Sequence, residues 1–469
     1  MALQPSYGRL YMCFPLRTVF CICIAIFGAG SIICATSPNS SVFITGRAVQ
    51  GTGAAGIFSG ALIICNYIVS KEKLPIFVSI ISSMYIVASV MGPTVGGVIA
   101  SSSLTWRFCF WLNLPICASV ISMTLFAFVE PERPTTRKSV QQKLASLDAL
   151  STLLLLGMIV ALVLGLQWGG ASLPWNDPKV WGCLVVSGLL LAIFIAVQLH
   201  KKERALIPIR LLTQRTVGFG CMMGTCLVMA MNTLTYYLPI YFQASRGVST
   251  NISGIYIIAL TMPDALSSFI SGTAVTLTGH YNTWMVAGGA IMAIGSGFLT
   301  RLHVDSEVGY FIGFQILSSV GFGLAIQLPV SAMRNVLAEE DVPTATSLFI
   351  CAQNLGSTVG LSVAQSIFLN TLMSKLREGG ISERTVQEVI GQGAGDVNVG
   401  YIAAELVPLV KASYAAACTT TFWVGTATAV LASLSGGAME WKHIPRVSKV
   451  SLEDSDQKES PAPGLGDQL

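Results

Sequence analysis

Arg47 and Asp264 are the two charged residues lying deep within long apolar runs, and each restricts what the chain can do. Arg47 sits in the glycine-rich stretch 41–69. A guanidinium there costs several kcal/mol unless it faces protein or water. It cannot escape by deprotonation. Its surroundings, Gly46-Arg47-Ala48-Val49-Gln50-Gly51-Thr52-Gly53, combine a fixed charge with small residues that admit a neighbouring helix. That combination points to a transport pathway; an arginine held by backbone carbonyls is the structural alternative. Gln50 is three residues on and shares a helix face with Arg47. It can bond a substrate or an adjacent helix.

Asp264 follows Pro263 within the run 252–277. Carboxylates at membrane depth are rare and mark functional sites by default. It reads either as a protonatable group in a central cavity or as a tolerated substitution nearer an interface. Gln327, Asn354 and Gln365 are polar residues in apolar runs of the second half. They serve either as interhelical hydrogen-bonding groups or as the lining of a cavity for amphipathic compounds. In Val90-Met-Gly-Pro-Thr-Val-Gly-Gly97, Pro93 removes a backbone donor. Gly92, Gly96 and Gly97 remove bulk, which suits a kinked, close-packed gate. Tyr236, Tyr237, Tyr241 and Phe242 read as an interfacial aromatic belt. His280 falls in a short, solvated loop.

These residues sit in a membrane-embedded chain. Of 469 residues, 53% are hydrophobic and 11% charged, against about 25% charged in a soluble domain. Mean hydropathy is +0.68. A net charge of +4 is too small and dispersed for nucleic-acid binding. The twelve cysteines mostly fall in apolar runs, where they act as small hydrophobes, and no Cys/His cluster has metal-site spacing. No Gly-x-x-x-x-Gly-Lys loop supports ATP-driven work. The four histidines lie in loops or at helix ends, so no Ser/His/acid set can be assembled. The chain reads as a non-enzyme without metal or cofactor.

Twelve segments have the length and apolarity of a spanning helix, about 20 residues. They are 18–36, 42–69, 75–99, 108–128, 147–167, 180–199, 216–240, 252–277, 282–300, 308–331, 344–370 and 414–436. Met1–Phe14 reads as polar and turn-like. Basic residues cluster in alternate loops: Lys71 and Lys73; Arg133, Arg137, Lys138 and Lys143; Lys201, Lys202, Arg204, Arg210 and Arg215. By the positive-inside rule these loops are cytoplasmic, and so are both termini. Sequons at Asn39 and Asn251 then fall outside, as glycosylation candidates.

The expected organisation is all-α, with helices in groups of four, two and six. It comprises an incomplete bundle (1–129), a connection (130–146), a two-helix insert (147–199), a connection (200–215) and a six-helix bundle (216–436). An outside loop spans 371–413, with a short amphipathic helix near Ser382–Ile390. The tail 437–469 is largely disordered by composition.

Arg47-Ala-Val-Gln-Gly-Thr-Gly53 and Gly92-Pro-x-x-Gly-Gly97 resemble two signature motifs of the major facilitator superfamily, the second typical of its antiporters. Gln4-Pro-Ser-Tyr-Gly-Arg-Leu-Tyr11 with Phe14-Pro-Leu-Arg17 is similar to the end of a second helix and the loop after it, without that loop's usual Asp. Thr105-Trp-Arg-Phe-Cys-Phe-Trp-Leu-Asn-Leu-Pro115, Gly321-Phe-Gly-Leu-Ala-Ile-Gln-Leu-Pro329, Gln353-Asn-Leu-Gly356 and Glu440-Trp-Lys442 add to the likeness. Together they resemble the fungal fourteen-helix drug:proton antiporter branch over almost the whole chain. The resemblance implies a two-bundle transporter holding helices three to fourteen of that plan. It implies export of a drug, toxin or secondary metabolite in exchange for protons, with Arg47 in proton coupling. The expected partners are a small molecule, protons and lipid, and the expected form is a monomer in the plasma membrane or a vacuolar or vesicular membrane. A siderophore or amino-acid transporter on the same scaffold, and a non-transporting remnant, are the alternatives.

Overall fold

The computed structural model describes residues 3–101, 105–130, 148–169, 173–201, 205–382, 385–386, 389 and 406–443. The first helix, α1 (Gln4–Cys13), corrects the turn-like reading of the start. It opens with a proline in its first turn, buries Tyr7 and Tyr11, and is too short and polar to register as a span. It fits the expected end of a second helix. Next come α2 (Leu16–Ala35), α3 (Ser40–Ile68), α4 (Leu74–Ser101), the short α5 (Phe108–Trp111) and α6 (Asn113–Ala127). The insert is α7 (Ala149–Trp168) and α8 (Pro178–Lys201). After α9 (Ile209–Thr213) the second half comprises α10 (Arg215–Ile240), α11 (Thr250–Thr278), α12 (Tyr281–Leu299), α13 (Val308–Ala325), α14 (Leu328–Val336), α15 (Val342–Glu378) and α16 (Val407–Ala438).

All twelve expected segments are helical. Ten spans among the described residues are long and apolar enough to cross a bilayer. The fold is therefore an all-α, multi-pass membrane protein. Local chemistry sets several ends. Asn39 Oδ1 accepts from Val42 N at 2.9 Å and caps α3. Gly279, at φ 77°, ends α11 in the left-handed region. Pro329 cannot donate to Ala325, and the helix breaks between α13 and α14 at Gln327.

Two boundaries differ from the sequence reading. At 37 residues, α15 is about 55 Å long, well beyond the ~30 Å hydrocarbon layer. The apolar run ends near residue 370, but the helix continues to Glu378. Lys375 and Arg377 favour its C-terminal turn. The connection to α16 is therefore shorter than 371–413. Of the amphipathic segment near Ser382–Ile390, only part is described. The tail 448–469 and most of 130–146 lie outside the described residues. The aromatic belt is also corrected: Tyr236 is exposed, but Tyr237, Tyr241 and Phe242 are buried in the main core. The Tyr241 hydroxyl donates to the His303 carbonyl at 2.6 Å.

The second half packs around one apolar core that includes Leu227, Leu234, Phe242, Phe311 and Phe422. In the first half, α2 and α3 meet closely along small residues. A Cβ at Gly53 would lie 2.5 Å from Phe27 N, and one at Gly46 would lie 2.7 Å from Cys34 Sγ. A separate apolar core joins both halves and the insert on the side assigned to the cytoplasm. It includes Leu62, Val78, Ile159, Leu211, Met333 and Phe349. On that side a Cβ at Gly8 of α1 would be 2.7 Å from Ser347 Oγ of α15. A Cβ at Gly272 of α11 would be 2.7 Å from the Pro75 carbonyl of α4. The molecule is thus closed on the side of this second core, the side the loop charges predict to be cytoplasmic, and a cavity lies beyond the closure.

Candidate transport cavity and intramembrane charges

The cavity, of about 540 Å³, lies between the halves. Helices α1, α3, α4, α10, α11, α13 and α15 contribute to its lining, as does Gln327 at the break. Phe58, Met231, Phe322 and Ile326 form apolar walls. Asp264 is among the lining residues and is 4% exposed. Pro263, one residue earlier, leaves the Ala259 carbonyl without its helical donor. Across from Asp264, α13 presents Gly323, where a Cβ would stand 2.8 Å from Asp264 Oδ1. That glycine makes the space the carboxylate occupies. Asp264 Oδ1 has no hydrogen-bond partner among the described residues, nor has Gln327 Oε1.

Sequence reasoning found three of the cavity's polar residues: Asp264, Gln327 and Asn354. It missed Gln4, whose Oε1 accepts from Asn354 Nδ2 at 3.2 Å and ties the two halves at the cavity. Composition read Gln4 as part of a turn, and only the likeness of Gln4–Tyr11 to the end of a second helix marked it as helical. Asn232, hydrogen-bonded to Ser357 at 2.5 Å, and Gln353 also line the space. Their single polar side chains in apolar runs were the available signal. Gln365 is half-buried two turns beyond Ser357 and does not line the cavity. Gln50 is corrected in the same way.

Gln50 belongs instead to a network around Arg47. The guanidinium donates to Gln50 Oε1 at 2.6 Å, and Gln50 Nε2 donates to Ser31 Oγ at 2.9 Å. Asn113 Nδ2 reaches the same hydroxyl at 3.2 Å, so one cluster links α3, α2 and α6. The Phe110 ring centroid lies 5.9 Å from the guanidinium carbon. No carboxylate pairs with Arg47 among the described residues. Arg47 is exposed, roughly 10 Å from the N-terminal end of α3. It shares a helix stripe with the lining residues Gly51, Ala54 and Phe58, one turn nearer the N-terminal end of α3.

Of the expected gate residues, Gly92 has no close neighbour among the described residues. Pro93, Gly96 and Gly97 lie within α4, but their surroundings fall outside the described residues. Asn39 and Asn251 are exposed, at the cap and in the first turn of their helices. The sequon hydroxyl Ser253 is buried and lies 3.3 Å from Gln243 Nε2.

The Major Facilitator Superfamily profile matches residues 1–361. The chain belongs to this superfamily. It is 38% identical over 465 residues to the MFS-type transporter ltbE of Aspergillus luteorubrus, covering 98% of this chain and 84% of that protein. It is 35% identical over 450 residues to the efflux pump roqT of Penicillium rubens, covering 96% and 83%. The MFS-type efflux pump MFS1 of Trichophyton rubrum is 36% identical over 446 residues, covering 94% and 82%. Among solved structures, the human organic anion transporter MFSD10 superposes with a TM-score of 0.58 at 12% identity, covering 91% of this chain and 80% of that one. The proton:xylose symporter XylE superposes with a TM-score of 0.55 at 15% identity, covering 92% and 82%. Those two likenesses concern the fold alone. The superfamily's members move solutes, and the chain is a transporter rather than an enzyme.

Proposed function

We propose that this superfamily member exports a small apolar or amphipathic compound in exchange for protons, by alternating access. The efflux pumps among its relatives support the direction of transport. The observation carrying the mechanism is Asp264: a buried carboxylate, with one oxygen unpartnered, at a cavity shared by two packed halves. A lone carboxylate in that setting is stable when protonated, and costly when charged and unpaired. Substrate and proton would therefore compete there, while the halves rock about the cavity. Arg47 is the second coupling residue, one turn outside the lining. The protein would act as a monomer in the plasma or a vacuolar membrane.

The described lining contains no Lys or Arg to hold a carboxylate, which weighs against an amino acid or an anionic siderophore. Radiolabelled compounds offered to inside-out vesicles test this reading. Accumulation that needs an inward-acid gradient and collapses with a protonophore is expected. Accumulation indifferent to the gradient would overturn proton antiport.

A further inference from the structure

The hydrogen bonds around Arg47 run in one direction, and the direction starts at Ser31 of α2. The Ser31 hydroxyl donates its one hydrogen to the Phe27 carbonyl at 3.0 Å. Its oxygen is then left only to accept. It receives Gln50 Nε2 at 2.9 Å and Asn113 Nδ2 at 3.2 Å. A carboxamide held by its nitrogen presents its oxygen the other way. Gln50 Oε1 accordingly accepts from the Arg47 guanidinium at 2.6 Å.

The reversed carboxamide would set amide hydrogens against guanidinium hydrogens, and neither group could accept. Both Ser31 and Gln50 are buried, and a Cβ at Gly30 would overlap the Gln50 backbone nitrogen. Helices α2 and α3 therefore touch where the chain of bonds crosses between them. Ser31 shares no hydrogen bond with Arg47 among the described residues, so its influence on the guanidinium runs through Gln50. We propose that Ser31 is a positioning residue: as an acceptor it orients Gln50, and Gln50 so oriented holds Arg47 in the place from which it supports coupling. The proposal rests on reading Arg47 as the second coupling residue.

Ser31→Ala removes the acceptor and little else, and two readouts follow it. The first is the rate at which phenylglyoxal modifies Arg47 in the purified full-length chain in detergent, resolved by peptide mass spectrometry. Ser31→Ala should speed the reaction about threefold or more, the scale of one net hydrogen bond. Adding Gln50→Glu should restore the slow rate, because a carboxylate accepts through either oxygen. Asn113→Ala leaves the Ser31 oxygen in place and should keep the wild-type rate. Ser31→Cys, a weak acceptor of similar size, repeats the test where the alanine variant does not fold. The second readout is gradient-driven accumulation in proteoliposomes. Ser31→Ala should lower it about threefold or more, yet cost nothing further when added to Arg47→Ala, since the two act in series.

An unchanged Arg47 rate in folded Ser31→Ala would overturn the proposal. So would equal acceleration in Asn113→Ala, which would assign the effect to loosened packing, or a further loss when Ser31→Ala is added to Arg47→Ala. Wild-type accumulation indifferent to the gradient would instead sink proton antiport, with the Arg47 reaction rates still deciding whether Ser31 orients Gln50.

Discussion

Arg47 and Asp264 are both charges placed in apolar helices, yet their surroundings are opposite. Arg47 is exposed, hydrogen-bonded to Gln50 and part of a cluster spanning three helices. Asp264 is buried, and its Oδ1 has no partner among the described residues. A partnered, always-charged group can position helices and shape a field, but it cannot carry a proton. An unpartnered carboxylate can change its charge at the point where a compound would sit. Within the proposed antiport, the contrast favours Asp264 as the proton carrier and gives Arg47 a supporting role near the N-terminal end of α3.

The sharpest way to break this division is to substitute both sites and compare. Asp264→Asn removes the titrating group, and gradient-driven accumulation should fall at least a hundredfold with the protein still in the membrane. Gly53→Leu attacks the frame under Arg47. Its Cβ would press on the Phe27 backbone where α2 meets α3, at a cost of about 1–3 kcal/mol. A lower melting temperature and a reduced folded yield should report it.

Arg47→Ala loses the bond to Gln50 but no ion pair, so transport should drop about tenfold, equivalent to ~1.4 kcal/mol. A complete loss there, with Asp264→Asn active, would invert the comparison. The smallest effect concerns the insert, remote from both charges. Asp148 is partly buried, which opposes ionisation, yet its bonds to Lys201 and Ser151 hold its carboxyl below the usual carboxylate range. With its folded value lowered, this pair stabilises at neutral pH, and its contribution is lost as pH falls through that lowered value. Asp148→Asn should cost at most about 1 kcal/mol near pH 7. It should also flatten the acid limb of the melting profile.

Much of the architecture was legible because lipid imposes length and apolarity: all twelve expected segments are helical, and ten helices among the described residues meet both constraints. The ends were less legible. α15 outruns the bilayer, and α1 is held by packing against α15 rather than by its own hydropathy. The site was half legible. Asp264, Gln327 and Asn354 stand out as polar residues in apolar runs, and the structure brings them to one cavity. Gln50 and Gln365 look alike in sequence, but helix rotation decides which residue faces the cavity and which faces a neighbour. The resemblance placed Gln4 at a helix end, but its position on the cavity depends on how the rest of the bundle packs against α1.

The most direct test is accumulation of a transported compound by proteoliposomes at saturating concentration, under an imposed pH gradient, with wild-type and Asp264→Asn protein compared at equal insertion. The account predicts concentrative uptake by the wild type and none by the variant, which should only equilibrate its substrate. Concentrative uptake by Asp264→Asn at the wild-type level would contradict it.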